Sequence, residues 1–136
     1  KKNIMKTIKQ KLQLLKETVD YYSVDPINRR CIEGDRMCAY SPQTLGLKKS
    51  AGCAVGRLLD PILALKIDDE FSPGLSSGVR QIWSLLPESI REYGEDFLTQ
   101  LQVFHDCKIY WNNEGLTIEE KKKSSEIRKA IIDEII

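Results

Sequence analysis

Apolar side chains recur every three or four positions along the first part of the chain, from Ile4 to Tyr22. This spacing matches the 3.6-residue period of an α-helix, so these side chains fall on one stripe of its surface. Neither glycine nor proline interrupts residues 3–22, and Pro26 disfavours a helix that continues beyond Asp25. The pattern predicts an amphipathic helix with a second, polar stripe. That stripe consists of Lys2, Lys6, Lys9, Gln13 and Lys16.

Two short apolar segments follow at residues 36–40 and 52–55, separated by a polar loop that holds Lys48 and Lys49. Two such segments around a turn-rich loop predict a β-hairpin over residues 36–55. Because strands this short are unstable alone, we expect the hairpin to pack on helices.

Helical spacing returns in the second half of the chain. Asp60 followed by Pro61 is typical of a helix start, with aspartate as the cap and proline in the first turn. Further helices are predicted over residues 76–86, over residues 95–110, and from a capping box at Thr117 through Ile135. Together the patterns predict one globular domain, residues 1–136. Its class is mainly α (α+β), with four to five helices packed with one small β-hairpin.

Composition supports a single globular domain and limits its location. The chain has 136 residues, of which 41% are hydrophobic, and a formal net charge of +1; this combination argues against intrinsic disorder. No apolar run approaches the roughly 20 residues needed to cross a bilayer, and no secretory pattern follows the N-terminal lysines. We therefore expect a cytoplasmic protein without a membrane partner.

Charge is divided unevenly along the chain. Residues 1–57 carry a net charge of +7 and residues 58–136 a net charge of −6. Basic and tyrosine side chains interleave in the first half, a pattern that can bind backbone phosphates. They include Tyr21, Tyr22, Arg29, Arg30, Arg36, Tyr40, Lys48 and Lys49. The opposing interpretation, that the two halves neutralise each other in the fold, is favoured because no nucleic-acid reading motif is present.

The residues that bind metals in other proteins are spaced unfavourably here. The cysteines are Cys31, Cys38, Cys53 and Cys107, and His105 is the sole histidine. They lack the close Cys-x2-Cys pairs typical of zinc sites, and no phosphate-binding glycine loop occurs. We therefore expect no metal and no cofactor. Across the predicted hairpin Cys38 and Cys53 would face each other, so a disulfide between them stays open, although a cytoplasmic location disfavours it.

Cys53 is the best candidate for a catalytic nucleophile, because it precedes a predicted helix start, where amide dipoles lower a thiol pKa. His105 would be the base and Asp106 its orienting group, although neighbouring residues on a helix point about 100° apart, which argues against that pairing. The alternative is structural: Ala54 and Val55 indicate that Cys53 is buried, and His105 lies on an apolar stripe. We favour the structural interpretation and retain Cys53 and His105 as the catalytic candidates.

Large aromatic residues and an apolar tail indicate interaction surfaces. Trp83, Tyr110 and Trp111 are candidate partner anchors, since aromatic residues are enriched at interface centres. Residues 131–136 are unusually apolar. They predict either packing against the core or a homodimer formed through the C-terminal helix.

Three short motifs occur in an order that is similar to that of a known group of proteins. They are Cys38-Ala39-Tyr40, the segment GCAVGRLL at residues 52–59, and the pattern FLxxLQxxHD at residues 97–106. Over about residues 12–110 the chain resembles a loose group of small uncharacterised bacteriophage and bacterial proteins. The resemblance implies a phage or prophage setting and one common fold. It implies no catalytic role, because the group has no established activity.

The favoured function is non-catalytic binding of another macromolecule, with a protein as the preferred partner. One alternative is a nucleic-acid-binding accessory protein that uses the basic N-terminal half. The other is a thiol enzyme or small-ligand-binding protein centred on Cys53 and His105. The candidate binding residues are Arg57, Tyr40, Lys48, Lys49 and Trp111.

Overall fold

A computed structural model describes residues 5–33, 37–70, 78–106, 111–112, 115–116 and 118–132. Within these ranges the chain is mainly helical, which confirms the predicted helical class. The helices are α1 (Ile8–Val24), α2 (Pro26–Arg29), α3 (Pro61–Glu70), α4 (Glu88–Arg91), α5 (Glu95–Asp106) and α6 (Ile118–Ile132). Short 3-10 helices occupy Pro42–Leu45, Gly56–Leu58 and Trp83–Leu85. Two-residue antiparallel ladders pair β1 (Ile32–Glu33) with β2 (Met37–Cys38) and β3 (Trp111–Asn112) with β4 (Gly115–Leu116).

The first helix, α1, begins at a capping box. The Gln10 backbone N–H donates to Thr7 Oγ1 at 3.2 Å, and the Thr7 N–H donates to Gln10 Oε1 at 2.8 Å. These bonds satisfy two amides that a helix start leaves unpaired. The predicted helix is therefore confirmed, but its first residue is Ile8, after the capping box. Its buried stripe consists of Leu14, Leu15, Thr18 and Tyr22.

The core forms where α5 and α6 pack together and α6 packs on α1. The apolar stripe of α5 is fully buried and consists of Phe97, Leu98, Leu101 and Phe104. Since each side chain of this size contributes about 1.5–3 kcal/mol when buried, α5 supplies a large share of the hydrophobic stabilisation. The predicted helix over residues 95–110 is confirmed as far as Asp106, and residues 107–110 lie outside the described ranges.

Two other predicted helices are also present. Helix α3 begins at Pro61 as predicted, and the Ile62 N–H donates to Asp60 Oδ1 at 2.8 Å. Helix α6 covers most of the predicted last helix; its predicted cap Thr117 and residues 133–136 lie outside the described ranges. In the part of the chain that the structure describes, no helix combines the length and the apolar character needed to span a membrane.

The predicted helix over residues 76–86 is wrong in its described part. Residues 78–82 form turns, and Trp83–Leu85 is a 3-10 helix with hydrogen bonds between residues three positions apart. Gly78 is a weak helix former, and Pro87 disfavours continuation of a helix.

The predicted hairpin over residues 36–55 is also wrong. Strand β2 pairs with β1, so that Cys38 lies opposite Ile32, and it does not pair with residues 52–55. That later segment turns back on itself: the Arg57 N–H donates to the Cys53 carbonyl at 2.9 Å, and a 3-10 helix begins at Gly56. Hydrogen bonds along the chain thus replace the cross-strand bonds that a hairpin requires.

The segment after β2 is held by one buried carboxylate. Asp68 of α3 is 3% exposed and accepts the backbone N–H of Tyr40 at 2.9 Å and that of Ser41 at 2.8 Å. It also accepts the Thr44 hydroxyl at 2.6 Å. Three donors stabilise the charge that burial alone would penalise, and they fix the backbone of Tyr40 in one place.

The backbone of Tyr40 lies against two glycines. Gly52 has a φ of +120°, and a Cβ added there would lie 2.7 Å from the Tyr40 carbonyl oxygen. A Cβ added to Gly56 would collide with the same carbonyl group. Both positions require glycine, Gly52 for its conformation and Gly56 for the close approach of two backbones.

We expect Gly56→Ala to lower the free energy of unfolding by at least about 2 kcal/mol, because backbone atoms must move to admit the methyl group. Urea denaturation followed by circular dichroism measures this change. Gly78→Ala is the matched control, since a Cβ at Gly78 meets nothing within 4 Å. Equal effects of the two substitutions would contradict the close approach of Gly56 to Tyr40.

Candidate functional site

The two catalytic candidates lie in the core, and His105 is part of a buried polar cluster that connects α1, α5 and residues 50–56. His105 of α5 is 0% exposed. Its Nε2 accepts the backbone N–H of Cys31 at 3.0 Å, and the Tyr22 ring lies edge-on to the imidazole with the centroids 4.9 Å apart. The Tyr22 hydroxyl donates to the Gly52 carbonyl at 2.6 Å. One histidine and one tyrosine thus join segments that are distant in sequence.

The second ring nitrogen of His105 faces Asp106, with Nδ1 2.7 Å from Asp106 Oδ1. Because Nε2 is an acceptor, the neutral ring carries its proton on Nδ1 and donates it to the carboxylate. Gln102 donates to the same oxygen at 2.9 Å and accepts the Val55 N–H at 3.1 Å. The expectation that Asp106 is badly placed to orient His105 is therefore wrong, because Gln102 holds the carboxylate back along the helix.

Arg30 closes the C-terminal end of α5. Its Nε donates to the His105 carbonyl at 2.9 Å and its Nη2 to the Asp106 carbonyl at 3.1 Å. A helix end leaves such carbonyls without partners, and a positive charge there interacts favourably with the helix dipole. The sequence offers no signal for this role, since Arg30 lies 75 positions from His105.

The charge state of His105 follows from its surroundings. Burial lowers the pKa of His105 below its ordinary value of 6.5, because the protonated ring loses its hydration. The Asp106 carboxylate acts in the opposite direction, and the positive charge of Arg30 lowers the pKa further. The ring is therefore neutral at pH 7, as its hydrogen bond from Cys31 requires.

Cys31 and Cys53 are free, buried thiols, so no disulfide joins Cys53 to Cys38. Cys53 Sγ accepts the N–H of Gly56 at 3.3 Å. Burial raises the pKa of Cys53 well above its ordinary value, and the charge of Asp106 raises it further. Burial also raises the pKa of Cys31 to about 12. A nucleophilic cysteine needs a lowered pKa, so this environment disfavours the thiolate that the thiol-enzyme hypothesis requires.

The described residues contain no group of three or more histidine, cysteine, aspartate or glutamate side chains that could hold a metal ion. Cys107 and the side chain of Cys38 lie outside the described set. The structure therefore brings Cys53 and His105 into one core without giving them metal-binding partners among those residues.

A groove lies between the turn at Trp83 and the junction of α4 with α5. Its volume is about 340 Å³, at the lower end of the range for ligand pockets. Met5 reaches the groove because the Lys6 N–H donates to the Glu92 carbonyl at 2.8 Å. Gly94, with a φ of +90°, makes the turn between the two helices. We call this feature the Trp83 groove; it is lined by Met5, Trp83, Glu88, Arg91, Glu92, Gly94 and Glu95.

Three residues of the Trp83 groove are glutamates. Glu92 lies 3.5 Å from Lys6 Nζ, and Glu95 lies 3.8 Å from Nε of Arg80, whose side chain is 88% exposed. An ion pair so open to water contributes little, typically about 0–1 kcal/mol. The groove thus combines an indole ring and a thioether with three carboxylates, of which Glu95 is only weakly neutralised.

Tyr21, Arg29 and Arg57 form a second surface feature, which we call the basic cluster. The guanidinium carbons of Arg29 and Arg57 lie 4.7 Å and 5.4 Å from the centre of the Tyr21 ring. Arg29 Nη1 donates to the Tyr21 carbonyl at 3.0 Å, and Arg57 Nη2 donates to Thr18 Oγ1 at 3.4 Å. The Tyr21 hydroxyl accepts the Ala51 N–H at 2.9 Å. The predicted binding residue Arg57 is therefore joined by Arg29, which lies far from it in sequence.

The other predicted binding residues occupy different environments. Lys48 and Lys49 are exposed. Tyr40 is 6% exposed, which leaves little of its ring for contact with a partner. Trp111 lies in β3, but its side chain is not among those that the structure describes. Tyr110 lies outside the described residues, and Trp83 is a predicted anchor that lines a groove.

Comparisons with known proteins add no assignment. The chain matches no protein-family model, no curated protein and no solved structure. The resemblance to small phage and bacterial proteins therefore stays a prediction.

We expect the free energy of unfolding to fall as the pH drops below 6.5, by up to about 1.4 kcal/mol per pH unit. The unfolded chain binds a proton at its ordinary histidine pKa, whereas the lowered pKa of folded His105 resists protonation. The contribution of neutral His105 to the free energy of unfolding is therefore fully present above pH 6.5, and it is lost as the pH falls below that value.

Urea denaturation at a series of pH values measures this loss. His105→Gln is the comparison, because glutamine can accept the Cys31 N–H but does not titrate. We expect the variant to be less stable at pH 7 and to lose less stability than the wild type on acidification. Parallel pH profiles for the two proteins would contradict a neutral, buried His105.

We expect the thiols of Cys31 and Cys53 to react slowly with a disulfide reagent in the native protein. Raising the pKa of Cys31 from 9.0 to about 12 lowers its thiolate fraction at pH 8 about a thousandfold. The measurement uses a Cys38→Ser/Cys107→Ser protein, with glutathione and the urea-unfolded protein as references. Rapid native labelling of Cys53 would restore the nucleophile hypothesis.

Proposed function

We propose that this protein acts without catalysis, by binding a protein partner through the Trp83 groove. The observation that carries the proposal is the pairing of an indole ring and a methionine with glutamates around one cavity. Tryptophan is among the residues that most often dominate the energy of protein interfaces. Carboxylates beside it select the charge of the partner.

The partner segment is basic. The groove is lined by Glu88, Glu92 and Glu95 against one arginine, Arg91, and the second half of the chain carries a net charge of −6. A lysine or arginine side chain suits such a site, because its aliphatic stem covers apolar surface while its charged end remains near carboxylates. Contact of the cation with the Trp83 ring adds a further attraction.

The core supports a non-catalytic role. His105 Nε2 is occupied by the Cys31 N–H, so this nitrogen is not free to remove a proton from a substrate. Burial raises the pKa of Cys53, and the side chain is 1% exposed. Both residues contribute to the interior, as the favoured sequence interpretation predicts.

The setting of the interaction belongs to the same proposal. A cytoplasmic location and a phage or prophage origin come from the sequence patterns and the resemblance alone. They are consistent with a small factor that binds a host protein. The proposed homodimer through the C-terminal helix concerns residues 131–136, of which 133–136 lie outside the described ranges, while Ile132 at the end of α6 is exposed. It plays no part in the groove.

Selection from a random peptide library on the immobilised protein tests the proposal. We expect the selected sequences to be enriched in lysine and arginine. Fluorescence anisotropy measures the affinities of the selected peptides. The double variant Glu88→Gln/Glu95→Gln should weaken binding about tenfold, because two ion pairs together contribute about 1.4 kcal/mol.

Glu17→Gln/Glu126→Gln is the matched control, since both residues are exposed and neither lines the groove. It removes the same two charges and should change the affinity less than about twofold. Circular dichroism verifies that both proteins fold. Selected peptides without a basic preference, or equal binding to wild type and the double variant, would overturn the proposal.

A further inference from the structure

We propose that the basic cluster of Tyr21, Arg29 and Arg57 binds a phosphate group. This inference goes beyond the proposed function and does not depend on it, because the cluster and the Trp83 groove have no residue in common. It rests on the placement of two guanidinium groups around one ring, on their lack of carboxylate partners, and on the rigidity of their surroundings.

Neither cation has a carboxylate in salt-bridge contact within the part of the chain that the structure describes. Among the described residues, no carboxylate oxygen lies within 4.0 Å of the guanidinium nitrogens of Arg29 or Arg57. Asp25 is a neighbouring acid whose charge acts on Arg29 from more than 4.0 Å away, and its carboxylate accepts the side-chain amide of Asn28 at 2.8 Å and the backbone N–H of Asn28 at 3.3 Å. The described acids therefore balance the positive charge of the cluster only in part.

The hydrogen-bonding capacity of the two arginines is also largely unused. Each guanidinium group has five N–H donors. Among the described residues, Arg29 donates one side-chain hydrogen bond to the Tyr21 carbonyl and Arg57 donates one to Thr18. Arg57 Nε is buried and has no partner among the described residues. The bond to Thr18 leaves the buried Nε of Arg57 unsatisfied among the described residues, and a buried donor without a partner calls for an explanation.

The cluster is positioned in advance of any ligand. The Arg29 carbonyl accepts the Ser50 hydroxyl at 2.7 Å, and the Tyr21 hydroxyl accepts the Ala51 N–H at 2.9 Å. Tyr21 also lies edge-on to the buried Tyr22, with ring centres 4.8 Å apart. A planar guanidinium that is already held against an aromatic ring loses little freedom when it binds an anion.

The chemistry favours phosphate over a single carboxylate. A phosphate group has several strong acceptor oxygens around one centre, and guanidinium groups match that geometry with paired hydrogen bonds. The cluster belongs to the half of the chain with a net charge of +7, and Lys49 is exposed in the segment that leads to Ser50 and Ala51. A phosphodiester of a nucleic-acid strand and a small phosphate-bearing molecule share this chemistry.

Nuclear magnetic resonance titration of the full chain with inorganic phosphate tests the site. We expect the Hε signals of Arg29 and Arg57 to shift in a saturable manner. Sodium acetate at matched ionic strength is the comparison anion. Equal shifts with acetate, or no shift with phosphate, would overturn the inference without involving any variant that fails to fold.

Substitution then locates the contacts. Arg29→Gln and Arg57→Gln should each weaken phosphate binding at least about tenfold, in keeping with a charge-assisted bond. Arg128→Gln, an exposed position on α6, should change it less than about twofold. Equal losses of phosphate affinity in all three variants would indicate that only the net charge of the protein matters, and they would count against a specific site.

A third arm identifies the source of the phosphate. Oligothymidylate that binds more tightly than inorganic phosphate, with a steep salt dependence and the same sensitivity to Arg57→Gln, identifies a nucleic-acid strand. Equal affinity for oligothymidylate and phosphate identifies a small phosphate-bearing ligand. Oligothymidylate binding that is unaffected by Arg29→Gln and Arg57→Gln would place the nucleic acid elsewhere and overturn the inference. The Trp83 groove variants are measured in parallel, so failure of one proposal leaves the other intact.

Discussion

The hydrogen bond from the Cys31 backbone to His105 Nε2 is the contact on which the rest of the interior depends. It fixes the ring so that Nδ1 meets Asp106, and Asp106 with Gln102 then reaches the Val55 backbone. With the Tyr22 ring of α1 packed edge-on against the imidazole, four segments of the chain meet around one neutral histidine. An unpaired donor or acceptor here would cost about 1–3 kcal/mol, so each member of the network is held by its neighbours.

This constraint explains why residues with catalytic potential have a structural role. A histidine that must remain neutral to accept an amide cannot also serve as a base that gains and loses protons. Cys53 contributes a small side chain where the chain turns tightly at Gly56, and its sulfur accepts an amide that the turn would otherwise leave unpaired. The same turn carries Arg57 out of the core toward Tyr21. The interior network therefore determines where the basic cluster lies on the surface.

Periodicity predicts α1, α3, α5 and α6 because each has an apolar stripe or a clear starting signal within its own sequence. The hairpin prediction fails because residues 52–55 are equally apolar in a strand and in a buried turn, and the choice depends on Tyr40 and Asp68, which lie elsewhere in the chain. Arg57 could be selected as a binding residue from local charge. Its partner Arg29 and the Trp83 groove could not be assembled from the sequence, since both depend on contacts between distant segments.

The two surface features differ in how salt affects them. Glu88 is exposed, so at physiological ionic strength its field is screened within about 8 Å, and carboxylates of this kind discriminate between partners more than they hold them. The lasting part of the affinity at the groove must come from Trp83, because covering the exposed part of an aromatic ring is favourable whatever the salt concentration. In the basic cluster the charge itself is the binding element, and part of Arg57 is shielded from water. A partner of the groove is therefore recognised mainly by its shape and secondarily by its charge. An anion at the basic cluster is recognised mainly by its charge and secondarily by its shape.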